Sequence, residues 1–542
     1  MAADDSRLHL FTRPDDSGGW TVSFQPRIDR RNTEASCLDN GLHSRVISLF
    51  RPADLMSVPS ARISAANDAP IRTDGDYVVY WMTSFRRTKF NFALQHAADR
   101  ASELGKPLLI FEALRCGYRW ASDRMHRFVL EGMKDNQSAL SKRNVTYFPY
   151  VEPKQNAAAG LLSTLAKSAS LIVTDEYPCF FIPHMIETVR GRLPVRLELV
   201  DSNGLIPLRS ADRTFTVAHS YRRWMHKNIL DHLLEAPAKD PLARRKLPQL
   251  KGIPTAISRR WPSANLEALL TEDGLSKLPI DHDVRPNPKI TGGSVAGEQR
   301  LKRFISRHLD DYGEDRNHPD ANATSGLSPH LHFGHVSAHQ LVSAVLDHED
   351  WAPDRIGDAI GKNLGFWNTS PSAEGLLDQV LTWRELGFNR CFREPRTYDR
   401  FESLPSWALA TLSEHADDPR PALYDLGEFE FAKTHDSIWN AAQRQLVRTG
   451  VMHNYMRMLW GKKILHWSRT PEDALATMIE LNNKYGIDGR DPNSYSGIFW
   501  VLGRFDRAWG PKRPVFGSVR YMTSESAKKK LRMSQYLTQF SA

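Results

Sequence analysis

Cysteine is scarce. The 542 residues hold four, Cys37, Cys116, Cys179 and Cys391, and no two stand at the close spacing of a zinc site, a redox pair or an iron–sulfur cluster. No metal site is therefore expected, and reduced thiols in a cytosolic setting are the plain expectation. The start, Met1 to Arg7, lacks the basic and apolar regions of a secretory leader. No uncharged apolar run approaches the roughly 20 residues needed to cross a bilayer. The expectation is a cytoplasmic protein, monomeric, with no membrane partner. No internal repeat is present, and no G-x-G-x-x-G follows the first strand pattern, so a dinucleotide fingerprint there is unsupported.

What is present is a chain too long for one ordinary domain, 41% hydrophobic and holding 14 tryptophans. The formal charge of +9 favours a polyanionic partner, because phosphate contacts come from Lys and Arg; a basic enzyme with no nucleic-acid role is the competing reading. Residues 1–75, rich in Asp, Ser, Pro and Arg, form an N-terminal extension expected to be partly disordered or packed on the next domain. From 76 to 205 strand and helix patterns alternate: strands at 77–82, 107–111, 145–150, 171–174 and 195–200, with helices at 92–104, 118–133, 157–168 and 182–189 between them. That alternation predicts an α/β domain, a doubly wound parallel sheet with helices on both faces. Residues 206–295 are dense in proline and charge and read as an interdomain connector with short helices. From 296 to 542 strand patterns vanish and apolar residues fall at helical spacing, as in 336–346, 437–450 and 471–484, which predicts an all-α second domain.

Three stretches carry chemistry. In YGEDRNHPDANATSGLSPHLHFGHVS, Tyr312 to Ser337, hydroxyls surround a glycine just before a helical segment. Exposed N–H groups and hydroxyls there suit a phosphate, though an ordinary Ser/Thr helix cap explains the same residues. In residues 432–467, Trp460 and Trp467 are two helical turns apart, about 10.5 Å along one face, and Trp439 lies upstream. Between Arg504 and Arg532 there are nine Lys or Arg against two acids, Asp506 and Glu525. Trp509 and Tyr521 are interleaved among them, which leans toward nucleic acid.

The R-N-x-P and T-S-x-L-S-P-x-L-H-F-G runs resemble the flavin-phosphate loop of the photolyase and cryptochrome family. The blocks 432–467 and 481–500 are most similar to class II cyclobutane pyrimidine dimer photolyases. The resemblance spans roughly Gly75 to Met522 and is densest from Tyr312 onward. It implies an N-terminal antenna domain and a C-terminal helical FAD-binding domain. On this resemblance Tyr312, Thr324, Ser325, Gly326, Leu327 and Ser328 contact the FAD phosphates. Arg457 and Asp488 form an ion pair beside the flavin ring, where a guanidinium would favour an anionic reduced flavin, and Asn482 faces the flavin N5. Trp439, Trp460 and Trp467 relay an electron from the surface to the flavin. Trp383 and Trp500 sandwich a flipped-out pyrimidine dimer, with Met458 lining the same pocket; a π-rich pocket offsets the unstacking of an extruded base. Arg316 lies near the substrate, Asp506 contacts Arg316, and Arg520 enters the DNA bubble left by the dimer.

The implied reaction is light-driven electron transfer from reduced FAD to the dimer in double-stranded DNA, with no net redox change. A second, antenna chromophore, a deazaflavin or a folate, is also implied without being identified. One position departs from the family: Gln379, preceded by Asp378, stands where a glutamate hydrogen-bonds the dimer. Glutamine donates a hydrogen bond through its amide but cannot supply a proton. That departure favours the alternative, a cryptochrome-like blue-light photoreceptor with little or no repair.

Overall fold

The computed structural model describes residues 57–541 except 244. The 77–82 run is buried at every position, as a strand covered on both faces requires, and it forms the middle of the sheet. Strands β1 (Ile63–Ala65), β2 (Tyr77–Met82), β3 (Leu108–Leu114), β4 (Thr146–Val151), β5 (Ala169–Asp175) and β6 (Leu197–Val200) assemble in the order β1-β6-β5-β2-β3-β4. All neighbours are parallel except β1, which runs antiparallel to β6 at the edge. Helices α1 (Phe92–Glu103), α2 (Asp123–Leu140), α3 (Leu161–Lys167) and α4 (Ile182–Arg190) make the crossovers. Asn91 starts α1 by accepting the N–H groups of Ala93 and Leu94, and Gly105, at φ +62°, ends it.

The expected α/β architecture is present, with one addition: the 1–75 segment contains β1, paired Ile63 to Val200. Three residues of mixed exposure carry no alternating pattern, so only their pairing with β6 makes them a strand. Residues 1–56 lie outside the description.

The chain leaves β2 for β3 and β4 on one side and returns to β5 on the other. The order therefore switches between β2 and β5, where ligands enter doubly wound sheets. Asp175, at the end of β5, fixes the loop leaving β2. Its carboxylate accepts the N–H groups of Thr83 (2.8 Å), Ser84 (2.7 Å) and Phe85 (2.9 Å) and the hydroxyl of Tyr80 (2.7 Å).

Beyond β6 the named elements of the described residues are all helical. The 206–295 segment is more than a connector. Its helix α5 (Ala218–Leu233) buries Tyr221, Met225 and Ile229 in a core shared with Leu341, Leu376 and Leu381. A second helical core is built around Trp439, Trp460, Trp467, Met456 and Leu481. The sheet layer and the helices are stitched by buried polar contacts. Arg124 on α2 donates to the carbonyls of Tyr485 (2.8 Å) and Val447 (2.7 Å), and Tyr177 donates to Asp491 (3.2 Å). No helix among the described residues is long and apolar enough to cross a membrane.

Replacing Asp175 by Ala orphans three buried N–H groups at once. A loss of about 3 kcal/mol in unfolding free energy, read from the denaturant midpoint, is the expected outcome; an unchanged midpoint would refute this role.

Candidate functional site

A cavity of about 450 Å³ opens among the helices. Three stretches distant in sequence converge on it: Tyr312 and Arg316; Thr324, Ser325, Gly326 and Ser328; and Arg457 with Asp488. Gln379 is also on its wall. The walls carry six cations, Lys289, Arg300, Arg303, Arg316, Arg384 and Arg457, and a single carboxylate, Asp488. Such a balance selects an anionic guest.

Asp488 is the pivot of the cavity. It accepts from Arg457 at 2.9 and 3.1 Å and from the Ser328 hydroxyl at 2.9 Å, so one carboxylate joins the 324–328 loop to the helix Asn454–Trp467. Burial alone would raise this carboxyl, but the charge and hydrogen bond of Arg457 and the Ser328 hydroxyl outweigh it and hold it below the ordinary value. The 324–328 loop is shaped by Gly326, at φ +61°, where a Cβ would collide with the Arg300 guanidinium. Arg300 in turn donates to the Ser325 carbonyl at 2.9 Å. Leu327 turns away into the hydrophobic core.

Arg300 and Arg303 were not singled out in the sequence. Their signal is the basic run Arg300-Leu301-Lys302-Arg303 on the helix Gly293–Arg307, whose i,i+3 spacing places both on one face. His453 lines the cavity as well. Both its ring nitrogens are buried without a partner, and burial lowers its pKa to about 4, leaving a neutral ring. Unsatisfied buried polar atoms beside a cationic, hydroxyl-lined wall fit a large anionic group with hydrogen-bonding edges.

Asn482 does not join the cavity wall. Its amide donates to Ser494 (2.7 Å) and Asn483 (3.2 Å) inside the protein, while Asn493 lines the cavity instead. Asp506 does not meet Arg316. It pairs with Arg520, at 2.9 Å, and accepts from the Trp509 indole at 3.1 Å, because the 506–520 loop folds back on itself. Arg316 is engaged by the Gly375 carbonyl at 3.3 Å and lies over the Tyr312 ring.

The tryptophans separate into two groups. Trp439, Trp460 and Trp467 are 0%, 2% and 1% exposed, so none is at the surface. Trp460 is one turn from Arg457 on the same helix. Its N–H is held by Gln443 at 2.9 Å, and its carbonyl accepts the Trp439 indole at 3.0 Å. The Trp439 and Trp467 rings are 6.1 Å apart, and Tyr424 and His435 cover the outer side of Trp467 at 5.7 and 4.9 Å. Trp383 and Trp500, in contrast, are half-buried against a common core. Trp383 sits four residues after Gln379 in a π-helical segment, Asp378–Arg384, a local widening often found at functional sites. Asp378 is tied to Arg222 at 2.6 and 3.0 Å. Met458 follows Arg457 on the helix Asn454–Trp467 and is half-buried.

A second cavity, about 290 Å³ and largely apolar, lies at the carboxyl ends of β2 to β5, the position the strand order marks. Trp81, Phe111, Tyr118, Phe180 and Phe181 line it, with Arg86 and Glu152 among its polar groups.

Residues 78–242 match the family model for DNA photolyase. The chain is 31% identical over 482 residues to the deoxyribodipyrimidine photo-lyase of Methanothermobacter thermautotrophicus, covering 89% of this chain and 98% of the relative. To the enzyme of that name from Arabidopsis thaliana it is 32% identical over 476 residues, 85% of this chain and 88% of the relative. A crystal structure of a bacterial class III photolyase from Agrobacterium tumefaciens superposes with a TM-score of 0.61 over 86% of each chain at 18% identity, a likeness of fold. Sequence identity sustained over nearly the whole length of these relatives, on a parallel-sheet α/β region followed by a helical one, places the chain in the DNA photolyase family.

Proposed function

We propose that this enzyme binds FAD in the 450 Å³ cavity and uses it to split cyclobutane pyrimidine dimers in double-stranded DNA, as a class II photolyase. The observation that carries this reading is the convergence of Tyr312, the 324–328 loop, Arg457 and Asp488 on one cation-lined cavity. Bound there, reduced FAD would supply the light-driven electron. Thr324, Ser325 and Ser328, with Arg300 and Arg303, would hold its phosphates, and Arg457, fixed by Asp488, would place a positive charge beside its ring.

The half-exposed Trp383 and Trp500 offer π-faces to an extruded base, and Gln379 offers an amide hydrogen bond between cavity and substrate. Trp460, Trp439 and Trp467 give a buried path of indoles leading away from Arg457, with Gln443 placed to hold the Trp460 proton. The aromatic cavity at the strand ends suits a second, antenna chromophore. One residue favours a photoreceptor without repair: Gln379, which lines the cavity but has no proton to give.

The decisive experiment irradiates purified protein with DNA containing thymine dimers and follows thymine recovery. Recovery is expected; its absence with flavin photoreduction intact would select the photoreceptor. Trp460→Phe should abolish flavin photoreduction while chemically reduced protein still repairs, and normal photoreduction in this variant would remove the indole path. Asp488→Asn should lower flavin content in the absorbance spectrum and cost about 3 kcal/mol of stability. Since the folded carboxyl titrates below its usual value, that contribution is present above about pH 4 and disappears as pH falls through the depressed value. The stability gap between wild type and variant should accordingly be flat from pH 5 to 8, and a gap that grows in acid would contradict the assignment.

A further inference from the structure

Lys462 is fully buried, at 0% exposure, on the helix Asn454–Trp467 that also carries Arg457. Its ammonium donates one hydrogen bond, to the Val501 carbonyl at 2.6 Å, and lies 4.8 Å from the centre of the Trp500 ring. The carboxylate that acts on it, Asp506, is already committed to Arg520. A buried ammonium without its own counter-ion is costly, and replacement by an apolar side chain of similar size would relieve that cost. What the charge does reach is specific. Val501 is the last residue of the helix Pro492–Val501, whose final carbonyls lack helical partners and attract a cation. The residue before it is Trp500.

Trp500 has a second cation over its ring, Arg520 at 5.4 Å, but the two differ in freedom. The Arg520 side chain is 38% exposed and paired with Asp506 and is also drawn over Trp509 at 4.0 Å, so Trp500 is only one of its contacts. Lys462 has nowhere to go.

We propose that Lys462 is a positioning residue for Trp500: it closes the end of the Trp500 helix and, through a cation–π contact, fixes the indole as the platform on which an extruded pyrimidine dimer stacks. This rests on the stacking role given to Trp500 above. The ammonium touches neither the lesion nor a phosphate; it acts through the indole.

The test compares binding to a duplex with one thymine dimer and to the same duplex undamaged, in wild type, Lys462→Met and Lys462→Arg. Lys462→Met should lower the preference for damage about tenfold, leaving affinity for undamaged DNA, its salt dependence and flavin absorbance unchanged. Lys462→Arg, still charged, should keep the preference within about threefold. Burial lowers the lysine's pKa to about 7, Asp506 pulling it up and Arg520 pressing it down. Wild-type preference should therefore decline as pH rises from 6 to 8.5, and that of Lys462→Arg should stay level. Wild-type preference in Lys462→Met would overturn the proposal, and so would a salt slope reduced by about one, the mark of a phosphate contact. If the wild type itself shows no preference for damage, it is the stacking role of Trp500 that fails.

Discussion

The site depends on one buried carboxylate. Asp488 sits in the tight segment 486–491, between the helices Pro471–Tyr485 and Pro492–Val501, and ties that segment to Arg457 on one side and Ser328 on the other. The same segment anchors the sheet layer. Arg490, in the left-handed region at φ +64°, turns its guanidinium back onto the carbonyls of Asn483, Gly486 and Ile487, its own carbonyl accepts from Cys179 at 3.0 Å, and Asp491 meets Tyr177. A buried carboxylate must be paired or protonated, so the geometry of Arg457 and of the 324–328 loop follows from where Asp488 is.

Around that pivot the protein distributes charge unevenly. Cations crowd the cavity walls, where an anionic guest would neutralise them, and the remaining titratable groups near it are kept uncharged. His453 is held neutral by burial, and His330, on the same wall, is pushed down by burial as well. Burial also lowers Arg300, with Arg303 adding to the effect. The tryptophans divide by the same logic. The buried three have their polar edges satisfied by Gln443 and a main-chain carbonyl or covered by other rings, whereas Trp383 and Trp500 are only half-buried.

Sheet and helices were largely legible. The 77–82 run is apolar at nearly every position because a central parallel strand is covered on both sides, and the 3.6-residue period of Ser437–Thr449 and Pro471–Tyr485 reports one buried face each. Much of the cavity wall was legible too: Tyr312, Thr324 to Gly326, Ser328, Arg457 and Asp488 sit in dense local motifs, and they converge as expected. What local pattern did not show shares a cause. β1 has no pattern of its own and exists because β6 offers it an edge. Asn482 and Asn493 are both asparagines near the same turn, and which one meets the cavity depends on how two helices pack. Asp506 had two arginines to choose from, and the return of the 506–520 loop gave it Arg520.

The sequence by itself therefore determined the local facts: where strands and helices form, which residues carry hydroxyl, charge or indole, and how they are spaced along one element. Those depend on backbone periodicity and short-range sterics, which neighbouring residues set among themselves. Only the tertiary structure decided which partner each polar group took, that Lys462 lies beneath Trp500, and that Arg300 rather than solvent faces the 324–328 loop. Pairings of this kind join residues far apart in the chain, and they are fixed by the packing of whole elements, which no local pattern encodes.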